Sequence, residues 1–155
     1  MTVEHLFEEL WSVYTRTNPN VLEVHRALKE VGAAAPLVND HIALRTLQHP
    51  QFGIERLARA FFDLGYEVKG RYRFEEKKLD AMHLEHASNA RHPKVFISEL
   101  CVSQCSQALQ DTLQSALFDN LNEGFKALNL TPASLPASGA HWGTPSYEVY
   151  KRLLD

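Results

Sequence analysis

Apolar residues recur at intervals of three and four over residues 3–17, where Leu6, Phe7, Leu10, Trp11 and Tyr14 share one helical face. Thr2 stands where that helix needs a cap. Asn18-Pro19 repeats the signal, a cap followed by proline at the first helical position. The second helix then points Leu22, Leu28 and Val31 inward and stops at Gly32. Ala33-Ala34-Ala35-Pro36 is a connector, because proline disfavours helix in the residue before it. Residues 1–37 thus read as an N-terminal helical arm packed on the remainder of the chain.

From residue 38 the period drops to two. Val38-Asn39-Asp40-His41-Ile42-Ala43-Leu44-Arg45-Thr46 reads as a strand, with Ile42 and Leu44 on one face and His41, Ala43 and Arg45 on the other. A loop through His49-Pro50-Gln51-Phe52-Gly53 leads to a helix over 54–64. Ile54, Leu57, Ala58, Phe61, Phe62 and Leu64 form its broad apolar face, and Gly65 closes it. Tyr66, Val68, Gly70 and Tyr72 begin a second strand in alternation, and Glu75-Glu76-Lys77-Lys78 is a solvated turn. Leu79 to His86 alternates again, with Ala81, His83 and Glu85 opposite Met82, Leu84 and His86. After the polar loop 88–93, Val95, Phe96, Ile97 and Leu100 form a last strand. Residues 38–102 are therefore expected to be an α+β unit of strand, helix and three strands, a sheet with one helix across its back.

Ser103 is expected to cap a further helix through Leu117 with Ala108, Leu109, Leu113 and Ala116 inward, and Leu121, Phe125 and Leu128 extend the pattern. Three prolines and two glycines make a loop of residues 131–145. Ser146 opens a final helix bearing Tyr147, Tyr150, Leu153 and Leu154. With nothing after it to cover its apolar face, the 103–155 helical segment carries the expectation of a further module.

Composition narrows the class. At 155 residues, 45% hydrophobic and 23% charged, the chain is ordinary globular protein, long enough for one good core. A formal charge of -3 and a pI near 6.2 supply no basic field for nucleic acid. No run of about 18 apolar residues is available to span a membrane. Glu4, Glu8 and Glu9 make the start unlike a secretory signal. Cys101 and Cys105 suit buried thiols of a cytoplasmic protein better than a disulfide framework. The excess is in histidine, of which there are eight.

The His41 strand carries the sharpest chemistry. Its imidazole and guanidinium lie four residues apart, roughly 13 Å at about 3.3 Å per residue. A neutral imidazole can hold a metal, and an Arg can clamp a carboxylate with two parallel hydrogen bonds. The pairing suggests a metal site that takes an organic acid; the plainer reading is a sheet edge with solvated polar residues. His83-Leu84-Glu85-His86 superficially resembles a zinc-protease motif, but those place two His four apart on a helix. Here the spacing is three and the context a strand, so His83 and His86 point to opposite faces. His83 and Glu85 share a face and are candidates to line the His41 cavity, with a surface pair as the alternative. Cys101 and Cys105, four apart with no second pair, make a poor zinc site. Trp142 of His141-Trp142-Gly143 reads as a packing residue, and His5, His25, His49 and His92 as surface residues.

The segments Asn39–Thr46, Leu79–His86 and Val95–Leu100 together resemble the family once called DUF1338, whose characterised members are iron(II)-dependent 2-oxoadipate dioxygenase/decarboxylases of lysine catabolism. The strand, helix and three-strand order is also similar to half of a vicinal oxygen chelate module pair. The likeness implies an N-terminal part, with the rest of the metal site in a second module. It implies that His41 is a metal ligand and Arg45 holds the substrate carboxylate. Glu99 enters as a further candidate ligand, because first and last strands lie near one another in such modules. The implied cofactor is Fe(II), and the implied partners are a 2-oxo dicarboxylic acid and dioxygen, with 2-hydroxyglutarate as product. Two alternatives stay open: a small-anion-binding module without redox chemistry, and a metal-dependent hydrolase or isomerase of the same fold.

Overall fold

The computed structural model describes residues 1–32, 39–118, 131–135 and 146–153. The elements in chain order are α1 (Val3–Thr17), α2 (Asn20–Glu30), β1 (His41–Leu47), α3 (Ile54–Phe62), β2 (Tyr66–Phe74), β3 (Leu79–His86) and β4 (Lys94–Leu100). A 3-10 turn (Val102–Gln104), α4 (Gln107–Leu113) and a short helix α5 (Tyr147–Arg152) complete the described elements, apart from a π-helical turn after α4. The strands form one sheet in the order β1-β4-β3-β2, as the strand, helix and three-strand reading anticipates. β1 runs parallel to β4, and the other two pairings are antiparallel.

One face of this sheet is covered because alternation supplies apolar side chains there and α3 supplies the matching stripe. Ala58 and Phe61 meet Met82, Leu84, Val95 and Ile97, all fully buried. Leu6 and Val3 of α1 complete the cluster together with Leu135. Gly65 ends the helix region at φ +86, a left-handed conformation that glycine adopts without a Cβ penalty. Thr2 caps α1 as expected, accepting from the backbone N–H of His5 at 3.3 Å.

Several expectations need correction. The α2 stripe has no sheet beneath it: no α2 residue is buried, Leu22 is 50% exposed, and Val31 just beyond is 81% exposed. The helix lies against α1 instead, with the His25 ring stacked on Trp11 at 5.0 Å. Phe62 is also exposed. The Tyr66–Tyr72 alternation breaks at a bulge between Val68 and Gly70. Tyr66 and Val68 face α3, whereas Gly70 and Tyr72 are carried to the opposite face. Helix α4 is capped by Ser106 rather than Ser103, because the 3-10 turn ends in extended backbone at Cys105 and restarts the helix there. Its buried residues are Thr112 and Leu113, with Ala108 exposed, and it widens into a π-helical turn over Gln114–Phe118. Val38, the Ala33–Pro36 connector, Leu121, Phe125, Leu128, His141-Trp142-Gly143 and Leu154 lie outside the described residues.

Candidate functional site

The sheet face turned away from α3 gathers the chemistry. Strand register sets His41 level with Lys94, Ala43 with Phe96 and Arg45 with Ser98. The same rows continue across β3, where His83 pairs with Phe96 and Ala81 with Ser98. On β2 they end at Gly70 and Tyr72. His41, Arg45, Tyr72, His83, Lys94 and Phe96 line an open cavity of about 430 Å³, within the range of about 300–1,000 Å³ usual for small-molecule sites.

Most charges on this wall are already paired. Asp40 Oδ2 lies 3.1 Å from His41 Nδ1, which leaves the other ring nitrogen without a protein partner among the described residues. Glu85 Oε1 sits 3.3 Å from Lys94 Nζ and 3.5 Å from His83 Nε2. His83 Nδ1 in turn lies 2.8 Å from the Tyr72 hydroxyl. Arg45 differs. Its Nη1 donates to Ser98 Oγ at 3.0 Å, and among the described residues no carboxylate pairs with it. A guanidinium has five donors in a fixed fork, so most of its capacity is free to meet an anion.

The fold therefore brings His41, Arg45 and His83 to one cavity and Glu85 to the same face. Glu99 does not join them. It is level with Thr46, one position out of phase with Arg45, and so faces α3. There its Oε2 accepts the backbone N–H of Ile54 at 2.7 Å, at the positive end of the helix. Burial pushes the Glu99 carboxyl up, the Ile54 bond opposes this, and Asp80 and Glu55 add to the rise. Alternation thus removes Glu99 as a ligand beside His41. Among the described residues no three His, Cys, Asp or Glu side chains gather as a metal-holding group.

Of the four histidines read as surface residues, His5 is exposed as expected, whereas His25, His49 and His92 are partly buried. His49 is not a surface residue: it stacks on Phe52 at 4.2 Å and near Phe118 at 4.9 Å, and burial lowers its pKa. The His92 side chain is 16% exposed, edge-on to His86 at 4.7 Å and 3.8 Å from Glu4. His86 faces away from His83, its Nδ1 accepting from the backbone N–H groups of Ser88 and Asn89. Both cysteines are free thiols, as anticipated, but only Cys101 is buried and Cys105 is partly exposed.

Sequence reasoning missed Tyr72, Lys94, Phe96 and Ser98 as cavity or clamp residues. Lys94, Phe96 and Ser98 were within reach, since they alternate against the apolar Val95 and Ile97. Tyr72 was not, because the bulge reverses its face.

Residues 4–130 match the family described as 2-oxoadipate dioxygenase/decarboxylase. A curated relative of that name, chloroplastic, from Arabidopsis thaliana is 35% identical over 119 residues, covering 68% of this chain and 31% of its own length. This chain spans roughly a third of the length of the curated relatives it matches, at 31% and 40%. Among solved structures, a protein named as a hydrolase from Shewanella frigidimarina NCIMB 400 is 38% identical, with TM-score 0.82 over 98% of this chain and 56% of that one. The hydroxyglutarate synthase of Oryza sativa, solved in complex with 2-oxoadipate, is 26% identical, with TM-score 0.81 over 96% of this chain and 49% of that one. A glyoxalase-superfamily protein from Ralstonia eutropha JMP134 shares the fold, with TM-score 0.71 at 20% identity, over 98% of this chain and 55% of that one.

Proposed function

Since the chain belongs to the 2-oxoadipate dioxygenase/decarboxylase family, we propose that its cavity binds a 2-oxo dicarboxylic acid, 2-oxoadipate, for oxidative decarboxylation by dioxygen to 2-hydroxyglutarate. The atoms of 2-oxoadipic acid and dioxygen equal those of hydroxyglutaric acid and carbon dioxide. The bond between the keto and carboxyl carbons breaks, and no external reductant is consumed. The carrying observation is Arg45, the cavity cation with no carboxylate partner among the described residues.

In this reading Arg45 clamps one carboxylate and fixes the acid's register along β1. Ser98 holds the guanidinium in place from the neighbouring strand. Ala43 and Phe96 supply apolar wall for the methylene chain. His41 is proposed as one ligand of Fe(II). The fit is partial: Asp40 backs Nδ1, an arrangement common behind metal-bound imidazoles, but the described residues furnish no three-ligand set. The remaining ligands would come from residues other than those described. When bound, such an ion supplies Lewis acidity and electrons for dioxygen.

Oxygen uptake and carbon dioxide release on adding 2-oxoadipate test the proposal. Turnover dependent on iron and abolished by His41→Ala supports it, and turnover that survives His41→Ala sinks it. A second reading, a metal-dependent hydrolase, draws on the name of the Shewanella relative. Zinc-supported hydrolysis without oxygen uptake would favour it.

A further inference from the structure

The Arg45 clamp accounts for one end of a dicarboxylate, and the cavity wall carries a second aliphatic cation, Lys94. We propose that Lys94 receives the ligand's other carboxylate and so makes the site selective for two-ended over one-ended organic acids. The proposal rests on the reading of the cavity as an organic-anion site held by Arg45.

The two cations are set apart along one strand. The Arg45 guanidinium donates to Ser98 Oγ at 3.0 Å and so reaches over β4. Lys94 opens that same strand, four residues before Ser98 and level with His41. Its backbone N–H donates to the Asp40 carbonyl at 2.9 Å, which ties the start of β4 to the start of β1. Alternation puts Lys94, Phe96 and Ser98 on one face. Four residues of strand are about 13 Å at about 3.3 Å per residue, and the long Lys94 side chain closes part of that gap.

What lies between the cations suits a methylene chain. Phe96 lines the cavity midway along β4, and Ala43 stands level with it on β1. Ala43 is exposed and too small to obstruct, and the Tyr72 ring stands 6.0 Å from that of Phe96. An aliphatic chain lying over Phe96 therefore has an apolar floor and a cation at either end. A monocarboxylate engages only one of them.

The two ends differ in strength. At the Arg45 end no carboxylate pairs with the guanidinium among the described residues. At the Lys94 end, Glu85 Oε1 lies 3.3 Å from Nζ, and Asp40 is turned to His41 Nδ1 at 3.1 Å. The Glu85 pair does not consume the ammonium. Its side chains are 54% and 37% exposed, a setting in which ion pairs are weak and readily exchanged. An ammonium also has three donors, so it keeps Glu85 on the β3 side and still offers hydrogens to the cavity. Arg45 is thus the strong end and Lys94 the discriminating one.

Calorimetric binding of adipate and hexanoate tests this. Both have six carbons, with two carboxylates and one, and neither has a keto group to chelate a metal. The unaltered protein is expected to bind adipate about fivefold more tightly, the upper range for a partly exposed ion pair. Lys94→Met should bring adipate down to the level of hexanoate while hexanoate stays within about twofold. Lys94→Arg, which keeps the charge, should keep the preference, and Arg45→Met should weaken both acids. A preference that survives Lys94→Met, or a Lys94→Met variant that weakens both acids equally, overturns the inference. So does Arg45-dependent binding of 2-oxoadipate without binding of adipate, because the inference needs only the two carboxylates. Absence of binding of any of these acids by the unaltered protein, or binding indifferent to Arg45→Met, overturns the organic-anion reading instead, and the inference with it.

Discussion

Glu99 offers a sharp test of how the sheet is tied to its helix. The carboxylate is 8% exposed and accepts the N–H of Ile54 at 2.7 Å. Replacing it with Gln keeps a carbonyl acceptor and removes the charge, whereas Ala removes both. Leaving the buried Ile54 donor unsatisfied costs about 1–3 kcal/mol, so Glu99→Ala should fall below Glu99→Gln by that amount. At roughly 2–4 °C per kcal/mol for a chain of this size, the gap is about 2–12 °C in Tm. The pH dependence comes from the raised pKa, caused first by burial and opposed by the Ile54 bond. An acid whose folded pKa lies above its unfolded value holds more protons when folded, so stability falls as pH rises from the unfolded value of 4.5 through the folded one. Above that window the cost of the buried charge is fully present. Thermal unfolding at several pH values should therefore show Glu99→Gln gaining on the unaltered protein from acidic to neutral pH. If Gln is destabilised as much as Ala, or gains nothing with rising pH, the assignment of Glu99 as a buried helix-end acceptor is wrong.

Other consequences can be checked by simple measurements. Phe61 is fully buried under the sheet, and Phe61→Ala should cost about 3–5 kcal/mol in denaturant unfolding. A loss below about 1 kcal/mol would contradict the core described. Burial pushes the Cys101 thiol up and hides it, whereas Cys105 is partly exposed. A thiol reagent at neutral pH should label Cys105 first and Cys101 only on unfolding; equal rates would argue against the packing at the end of β4.

The strands were legible because period-two alternation is a local signal: counting put His41 with Arg45 and His83 with Glu85, and the strand register then set both pairs on one face. The ends of α3 were legible for a similar reason, with Gly65 in the left-handed conformation that closes the helix region. What failed was whatever depends on a neighbour. The α2 stripe looked amphipathic, but periodicity cannot say whether a surface exists to receive it. The bulge that turns Tyr72 over is one extra residue in a ladder, invisible without its partner strand. Glu99 was weighed as a ligand because β1 and β4 were expected to be close. They are adjacent, but parallel register puts its side chain on the wrong face. His49 and His92 carried no periodic pattern, and their burial comes from rings contributed by Phe118 and His86.

The claim on which the functional reading depends is that the Arg45 guanidinium is the cavity's carboxylate clamp. Equilibrium binding of 2-oxoadipate to the unaltered protein and to Arg45→Met measures it without requiring turnover. Loss of a charged hydrogen-bonding fork worth about 1.5–3 kcal/mol predicts affinity lower by about 10- to 150-fold, with Arg45→Lys recovering only part. Affinity unchanged by Arg45→Met would contradict the account.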